Sequence, residues 1–122
     1  MDPLSRHVML FNQGVRTGDF GPWLSTFHED AVATFTGLPL GPFEGRRAIG
    51  EAYAAHPPSS QMRLTAAEVD GDTITGHFVW VDAPETGGVF VFRLRDDRLV
   101  TLDVTLDAPP PPPAAGDGGV SS

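Results

Sequence analysis

The sequence predicts an α+β fold in which three N-terminal helices pack on one face of an antiparallel sheet. Three observations predict it. Apolar residues recur at helical spacing through the first half of the chain. From Gln61 onward the period drops to two, the signature of half-buried strands. The runs of that second half are joined by short segments, "DGD", "APETGG" and "DDR", so consecutive strands should be antiparallel neighbours.

Each element follows from its own residues. Asp2 can cap a first helix with Pro3 in its opening turn, where a missing N–H costs nothing. Leu4, Val8, Phe11 and Val15 then form an apolar stripe, and Gly18 stops the helix. Asp19 opens a second, shorter helix carrying Phe20, Trp23, Leu24 and Phe27. "AVATF" follows as a strand and leads into the Gly/Pro-rich loop "TGLPLGPFEG". A third helix covers Arg46 to Ala55, with Ile49 and Tyr53 on one face, and "HPP" ends it.

Four strands are expected over Gln61–Val69, Thr73–Val81, Val89–Arg95 and Leu99–Leu106. Register can be argued from the apolar pattern, because a slip of one residue turns every side chain to the other face. A three-residue connection Asp96-Asp97-Arg98 pairs Phe92 with Leu102 and Phe90 with Val104, whereas a two-residue one sets Phe92 against Thr101. The first choice keeps one face apolar. The same logic across Asp70-Gly71-Asp72 pairs Met62 with Trp80 and Leu64 with Phe78. The opposite face, with Thr75, His77, Val79, Val89 and Val91, is mixed and suits contact with a second copy of the chain.

The chain has 122 residues, enough for one domain with a real core. Such a domain buries somewhat over ~60% of the surface its unfolded chain exposes. Residues 1–107 are assigned to that domain. Residues 108–122, "APPPPPAAGDGGVSS", cannot build a core and are expected to form a disordered tail with a polyproline II segment. The absence of cysteine excludes disulfides, thiolate zinc sites and a cysteine nucleophile. Net charge is −8, from 16 acidic residues against 8 arginines with no lysine, which disfavours nucleic acid and anionic membranes as partners. Neither a signal peptide nor a membrane-length apolar run is present, so a cytoplasmic protein is expected. Arginine as the only strong base, with abundant Ala, Gly and Pro, fits a GC-rich bacterial genome.

The stretches "FNQGVRTGDF", "LSTFHEDAVATF", "PFEGRRAIGEAY" and "VFVFRLRDDRLVTLDVTLD", in that order and spacing, resemble the NTF2-like superfamily, which includes ketosteroid isomerases and SnoaL-like polyketide cyclases. The resemblance covers residues 4 to 107. It implies a cone built from three helices and a curved antiparallel sheet, with a hydrophobic ligand at the open end and a homodimeric state. In the isomerases a tyrosine eight residues before the Asp of "GD" binds an oxyanion; the matching residue is Phe11. The general base ends the first strand, at the position of Phe35. A protonated aspartate, the second oxyanion donor, corresponds to Phe90. A phenyl ring neither moves a proton nor donates a hydrogen bond, so the resemblance implies the cavity without that acid–base chemistry.

The expected ligand pocket comprises Phe11, Trp23, Phe27, Phe35 and Tyr53 from the first half of the chain. The sheet would add Phe78, Trp80, Phe90, Phe92, Leu102 and Val104. His7, one turn before Phe11, is a candidate general base, against a plain reading as a histidine near a helix start. Asp82 and Tyr53 are candidates for a cavity-mouth carboxylate and a hydroxyl, against readings as a turn opener and a core tyrosine. "HED" at residues 28–30 has no ligand-like spacing, and neither a metal nor a cofactor is expected. Two functions remain: binding of a hydrophobic, polyketide- or steroid-like small molecule, with cyclase or isomerase activity by substrate shaping, or a non-catalytic dimerising module with a self-filled core.

Overall fold

A computed structural model describes residues 2–37 and 40–107. The tail assigned to residues 108–122 lies outside the described residues, as do Leu38 and Pro39.

Helix α1 spans Pro3–Thr17. The Asp2 carboxylate accepts the Ser5 amide at 2.9 Å and the Ser5 hydroxyl at 3.0 Å, which satisfies an orphan donor of the first turn. Gly18, at φ +80°, closes the helix by donating its N–H to the Gly14 carbonyl. The buried stripe is Leu4, His7, Phe11 and Gly14. It therefore runs through His7 where the sequence pattern favours Val8, which is only half-buried.

Asp19 does open the next helix, its Oδ1 accepting the Gly21 amide at 2.8 Å. Helix α2, Gly21–Leu24, is a single turn. The Ser25 and Thr26 hydroxyls donate to the Pro22 and Trp23 carbonyls and end it there. Phe27 is thus the first residue of strand β1, Phe27–Thr36, and not part of a helix. A short strand β2, Phe43–Glu44, absent from the sequence reading, pairs antiparallel with β1. Helix α3 covers Arg46–Ala55, as its spacing predicts.

The remaining strands are β3 Met62–Asp70, β4 Thr73–Trp80, β5 Ala83–Arg95 and β6 Arg98–Leu106. All six lie in one curved mixed sheet of order β2-β1-β6-β5-β4-β3. Every pairing is antiparallel except β1–β6, which is parallel. The two partners there are far apart in sequence, and the helices and the meander supply the crossover a parallel pair needs.

The predicted pairs Phe92–Leu102, Phe90–Val104, Met62–Trp80 and Leu64–Phe78 are all present. The connections that produce them differ from the predicted ones. Arg95 pairs with Arg98 across a two-residue turn, Asp96-Asp97, with φ of +54° and +64°. An irregularity follows, Leu94 facing Leu99 while Arg93 faces Thr101, so that Val100 is the extra residue. Likewise Asp70 pairs with Thr73, and Thr65 is skipped between Leu64 and Ala66. A tight turn plus a one-residue bulge shifts register as a three-residue loop would, while letting the turn match the strand twist.

The inner face of the sheet and the helices enclose the core, where Trp23, Phe27, Ile49, Phe90, Phe92 and Leu102 are essentially inaccessible. Gly76, paired with Phe90, leaves room for that ring; a Cβ there would overlap it. Asn12 ties α1 to β3: its Nδ2 donates to the Met62 carbonyl at 2.9 Å and its Oδ1 accepts the Met62 amide at 2.8 Å. No described helix is long and apolar enough to cross a membrane.

Candidate functional site

The helices do not fill the concave face of the sheet. A cavity of about 120 Å³ lies between them, and every helix and strand contributes to its wall. His7 and Phe11 come from α1, Trp23 from α2, and Ala52 and Tyr53 from α3. The sheet adds Phe35, Phe43, Met62, Phe78, Trp80 and Phe90, with Leu102, Val104 and Leu106 from β6. Leu40, His56 and Pro58 complete the wall. Leu40 and His56 are exposed, whereas Trp23, Phe90 and Leu102 are fully buried, so the cavity runs from the core to a mouth at the surface.

His7 occupies the deep part. It is 3% exposed. Its ring centroid lies 5.1 Å from those of Phe90 and Phe92, 5.7 Å from Trp23 and 6.4 Å from Phe27. These four rings bring no carboxylate to an imidazolium, and burial lowers the His7 pKa to about 3. The ring is therefore neutral at neutral pH. Burial raises the pKa of Tyr53, whose ring lies 4.5 Å from that of Trp23 at a tilt of 38°, and its hydroxyl stays protonated. Three buried polar atoms of the wall have no hydrogen-bond partner: His7 Nδ1, Trp23 Nε1 and Trp80 Nε1.

The structure brings together most of the residues singled out in the sequence. Phe11, Trp23, Phe35, Tyr53, Phe78, Trp80, Phe90, Leu102 and Val104 share the wall, with His7 beside them. The three phenylalanines at the positions that the isomerase resemblance highlights, Phe11, Phe35 and Phe90, all reach the same void.

Phe27 and Phe92 are corrections. Both are 0% exposed, pack on His7 and belong to the core beneath the wall. Asp82 is a third correction. It sits exposed in the Val81-Asp82 turn, outside the cavity, its amide donating to Ser60 Oγ at 3.5 Å. The bulged pairing of β4 with β5 turns that segment away, because Trp80 meets Ala83 while Val79 meets Gly87.

Sequence reasoning missed Leu40, Phe43, Ala52, His56, Pro58, Met62 and Leu106. Four of them carried a signal, Met62 through its expected pairing with the pocket residue Trp80. Ala52 and His56 follow Ile49 on one helical face, and Leu106 continues the alternation of Leu102 and Val104. Phe43 had none, since its two-residue strand is too short to show a period.

The chemistry available is limited. The wall holds no carboxylate, arginine or thiol. Among the described residues no group of three or more His, Asp or Glu side chains could hold a metal ion. A base whose conjugate acid has a pKa near 3 is poorly matched to proton abstraction at neutral pH. The arrangement suits enclosure of apolar surface, with a few hydrogen-bonding atoms.

Comparison with known proteins agrees with this geometry. No curated protein sequence matches the chain. Solved structures that resemble it include an NTF2-like protein of unknown function from Cytophaga hutchinsonii, 14% identical with a TM-score of 0.64, covering 83% of this chain and 87% of its own. A Sinorhizobium meliloti protein provisionally called a polyketide cyclase is 19% identical with a TM-score of 0.62, covering 85% of this chain and 99% of its own. A computationally designed 17-OHP binder is 18% identical with a TM-score of 0.66, covering 85% of this chain and 90% of its own. At these identities the likeness speaks for the fold. The SnoaL-like domain family matches residues 8–102, most of the chain. With the helices and the curved sheet in the arrangement of NTF2-like proteins, the chain belongs to the SnoaL-like domain family.

Proposed function

We propose that this protein binds a hydrophobic small molecule in the cavity between its helices and sheet, without acid–base catalysis by the wall. The cavity itself carries the reading: about 120 Å³ of space faced by aromatic and aliphatic side chains, with no carboxylate or cation. A space of roughly 150 Å³ in an apolar core is enough to hold one benzene. The cavity therefore takes about one ring. A larger polyketide- or steroid-like ligand buries one end there and extends past Leu40, His56 and Pro58.

The fold likeness to a designed 17-OHP binder and to a protein provisionally called a polyketide cyclase supports this reading. A reaction in such a cavity would draw on holding a flexible substrate in one shape, since Phe11, Phe35 and Phe90 offer no proton. The mixed outer face around Thr75, His77, Val79, Val89 and Val91 is our assignment for homodimer contact, to be checked by sedimentation of a Val91→Lys variant.

Titration with toluene and with naphthalene tests the binding. Both tryptophans of the chain line the cavity, so their fluorescence reports its occupation. Saturable quenching by toluene is expected, abolished in Ala52→Phe, which fills the void from a half-buried helix position. No saturable response, or binding indifferent to Ala52→Phe, overturns the proposal.

A further inference from the structure

The mouth of the cavity and the start of the segment after β6 lie at the same end of the sheet. Strands β1 and β6 are parallel and run side by side to their ends, with Phe35 facing Val104 and Thr36 facing Thr105. Gly37 follows so closely that a Cβ on it would meet the Leu106 carbonyl at 2.8 Å. The chain after β1 reaches the rim through Leu40, and β6 reaches it through Leu106, itself part of the wall. Asp107 donates its amide to the Gly87 carbonyl at 2.9 Å, which holds the chain to the sheet up to the point where residues 108–122 begin. Ala108 and five prolines, Pro109 to Pro113, thus start beside the mouth.

The rim matches such a segment in chemistry. Phe35 and Phe43 meet edge to face with ring centroids 5.9 Å apart, and both are only half-buried. Leu40, 37% exposed, and Pro58 extend this apolar surface, and no carboxylate or arginine of the wall interrupts it. Proline-rich segments dock on aromatic-lined surfaces, because a preformed polyproline II helix loses little entropy and proline has no N–H to leave unpaired. Charge agrees: residues 108–116 carry none, in a chain of net charge −8. Reach agrees too, since five prolines at ~3.1 Å each extend about 15 Å, whereas a round space of about 120 Å³ is about 6 Å across. Resting on the binding function proposed above, we propose that Pro109–Pro113 lie across the mouth, over Phe35, Leu40 and Phe43. The strap then sets ligand size: one ring fits beneath it, and a longer ligand must push it aside. A tethered segment acts at roughly millimolar effective concentration, so weak contacts suffice.

The chain has no cysteine, so Ala115→Cys gives the full-length protein a single attachment point for a nitroxide. A second full-length variant also replaces all five prolines by serine, which keeps the tether and removes the docking surface. Both changes lie beyond β6 and leave the domain itself unaltered. In ¹⁵N spectra the nitroxide is expected to broaden the Leu40, Phe43 and His56 amides more strongly with the prolines than with the serines. Toluene and biphenyl titrations, followed by tryptophan fluorescence without the nitroxide, read the size effect. With the strap docked in about two molecules of three, the serine variant should bind biphenyl about threefold tighter than wild type, and toluene no tighter. Equal broadening with the two tails overturns the inference, and so does equal biphenyl affinity. Mixing nitroxide-labelled ¹⁴N chain with unlabelled ¹⁵N chain tests exchange between copies; the same broadening there assigns the mouth to a second copy and overturns it as well. If neither probe binds while the broadening difference holds, the binding function fails and the strap stands. Where toluene alone binds, the broadening decides.

Discussion

Replacing His7 by Phe should remove the part of the acid sensitivity of folding that comes from this buried imidazole. The folded chain holds His7 neutral, with its pKa near 3, because Trp23, Phe27, Phe90 and Phe92 surround the ring. In the unfolded chain the same imidazole titrates near 6.5. Above the unfolded value both states are neutral and pH has no effect through this group. Below it the unfolded state gains a proton that the folded state refuses, so stability falls as pH falls, and the loss ends once pH drops through the folded value. Each pH unit in that window is worth about 1.36 kcal/mol. The full window of about three and a half units gives a ceiling of roughly 5 kcal/mol, a large share of the ~5–15 kcal/mol that holds a typical domain together. Urea unfolding followed by tryptophan fluorescence at pH near 7, 5.5 and 4.5 measures it. Taking the difference between wild type and His7→Phe cancels whatever the two chains share. That difference should widen in favour of the variant by about 1 kcal/mol or more per unit of acidification. Near pH 7 the variant should be close to neutral, since it also removes the unpaired Nδ1. Parallel wild-type and variant curves across this range would show that the buried imidazole is not held neutral, and the reasoning would fall.

Three further outcomes follow from the fold and the cavity. Asp97→Gly relieves a positive φ of +64° in the tight turn and should stabilise by about 0.5–1 kcal/mol, read as a rise of several degrees in Tm. Asn12→Ala breaks both links between α1 and β3 and should cost about 1–3 kcal/mol, with faster hydrogen exchange of the Met62 amide. Leu102→Ala should cost about 2–5 kcal/mol by chemical denaturation. It should also enlarge the cavity, so that naphthalene gains affinity relative to toluene.

The sequence carried much of this arrangement because the inner face of the meander alternates without interruption from Ile74 to Trp80 and from Gly88 to Phe92. That alternation fixed which strand positions meet, even though both hairpins reach their register by a bulge, at Thr65 and at Val100. Bulges leave no local mark, since an extra residue within a strand keeps ordinary composition. The α1 stripe was misplaced by one position for a related reason. A histidine is scored as polar, and only the tertiary setting of four aromatic rings makes His7 an interior residue. The parallel pairing of β1 with β6 and the two-residue strand β2 depend on contacts between distant segments, to which a local period is blind. Phe27 and Phe92 carry the same pattern as their pocket-lining neighbours; depth below the wall, not periodicity, separates them.

The void of about 120 Å³ also has a thermodynamic consequence, since its wall is made of residues from every helix and strand. An occupant would touch all of them at once and stand in for side chains the core lacks. Ligand and fold then share one equilibrium. A molecule present at a hundred times its dissociation constant adds about 2.7 kcal/mol to the resistance of the whole domain to unfolding. Melting temperature therefore becomes an assay for ligands of unknown identity, with no activity needed to detect them.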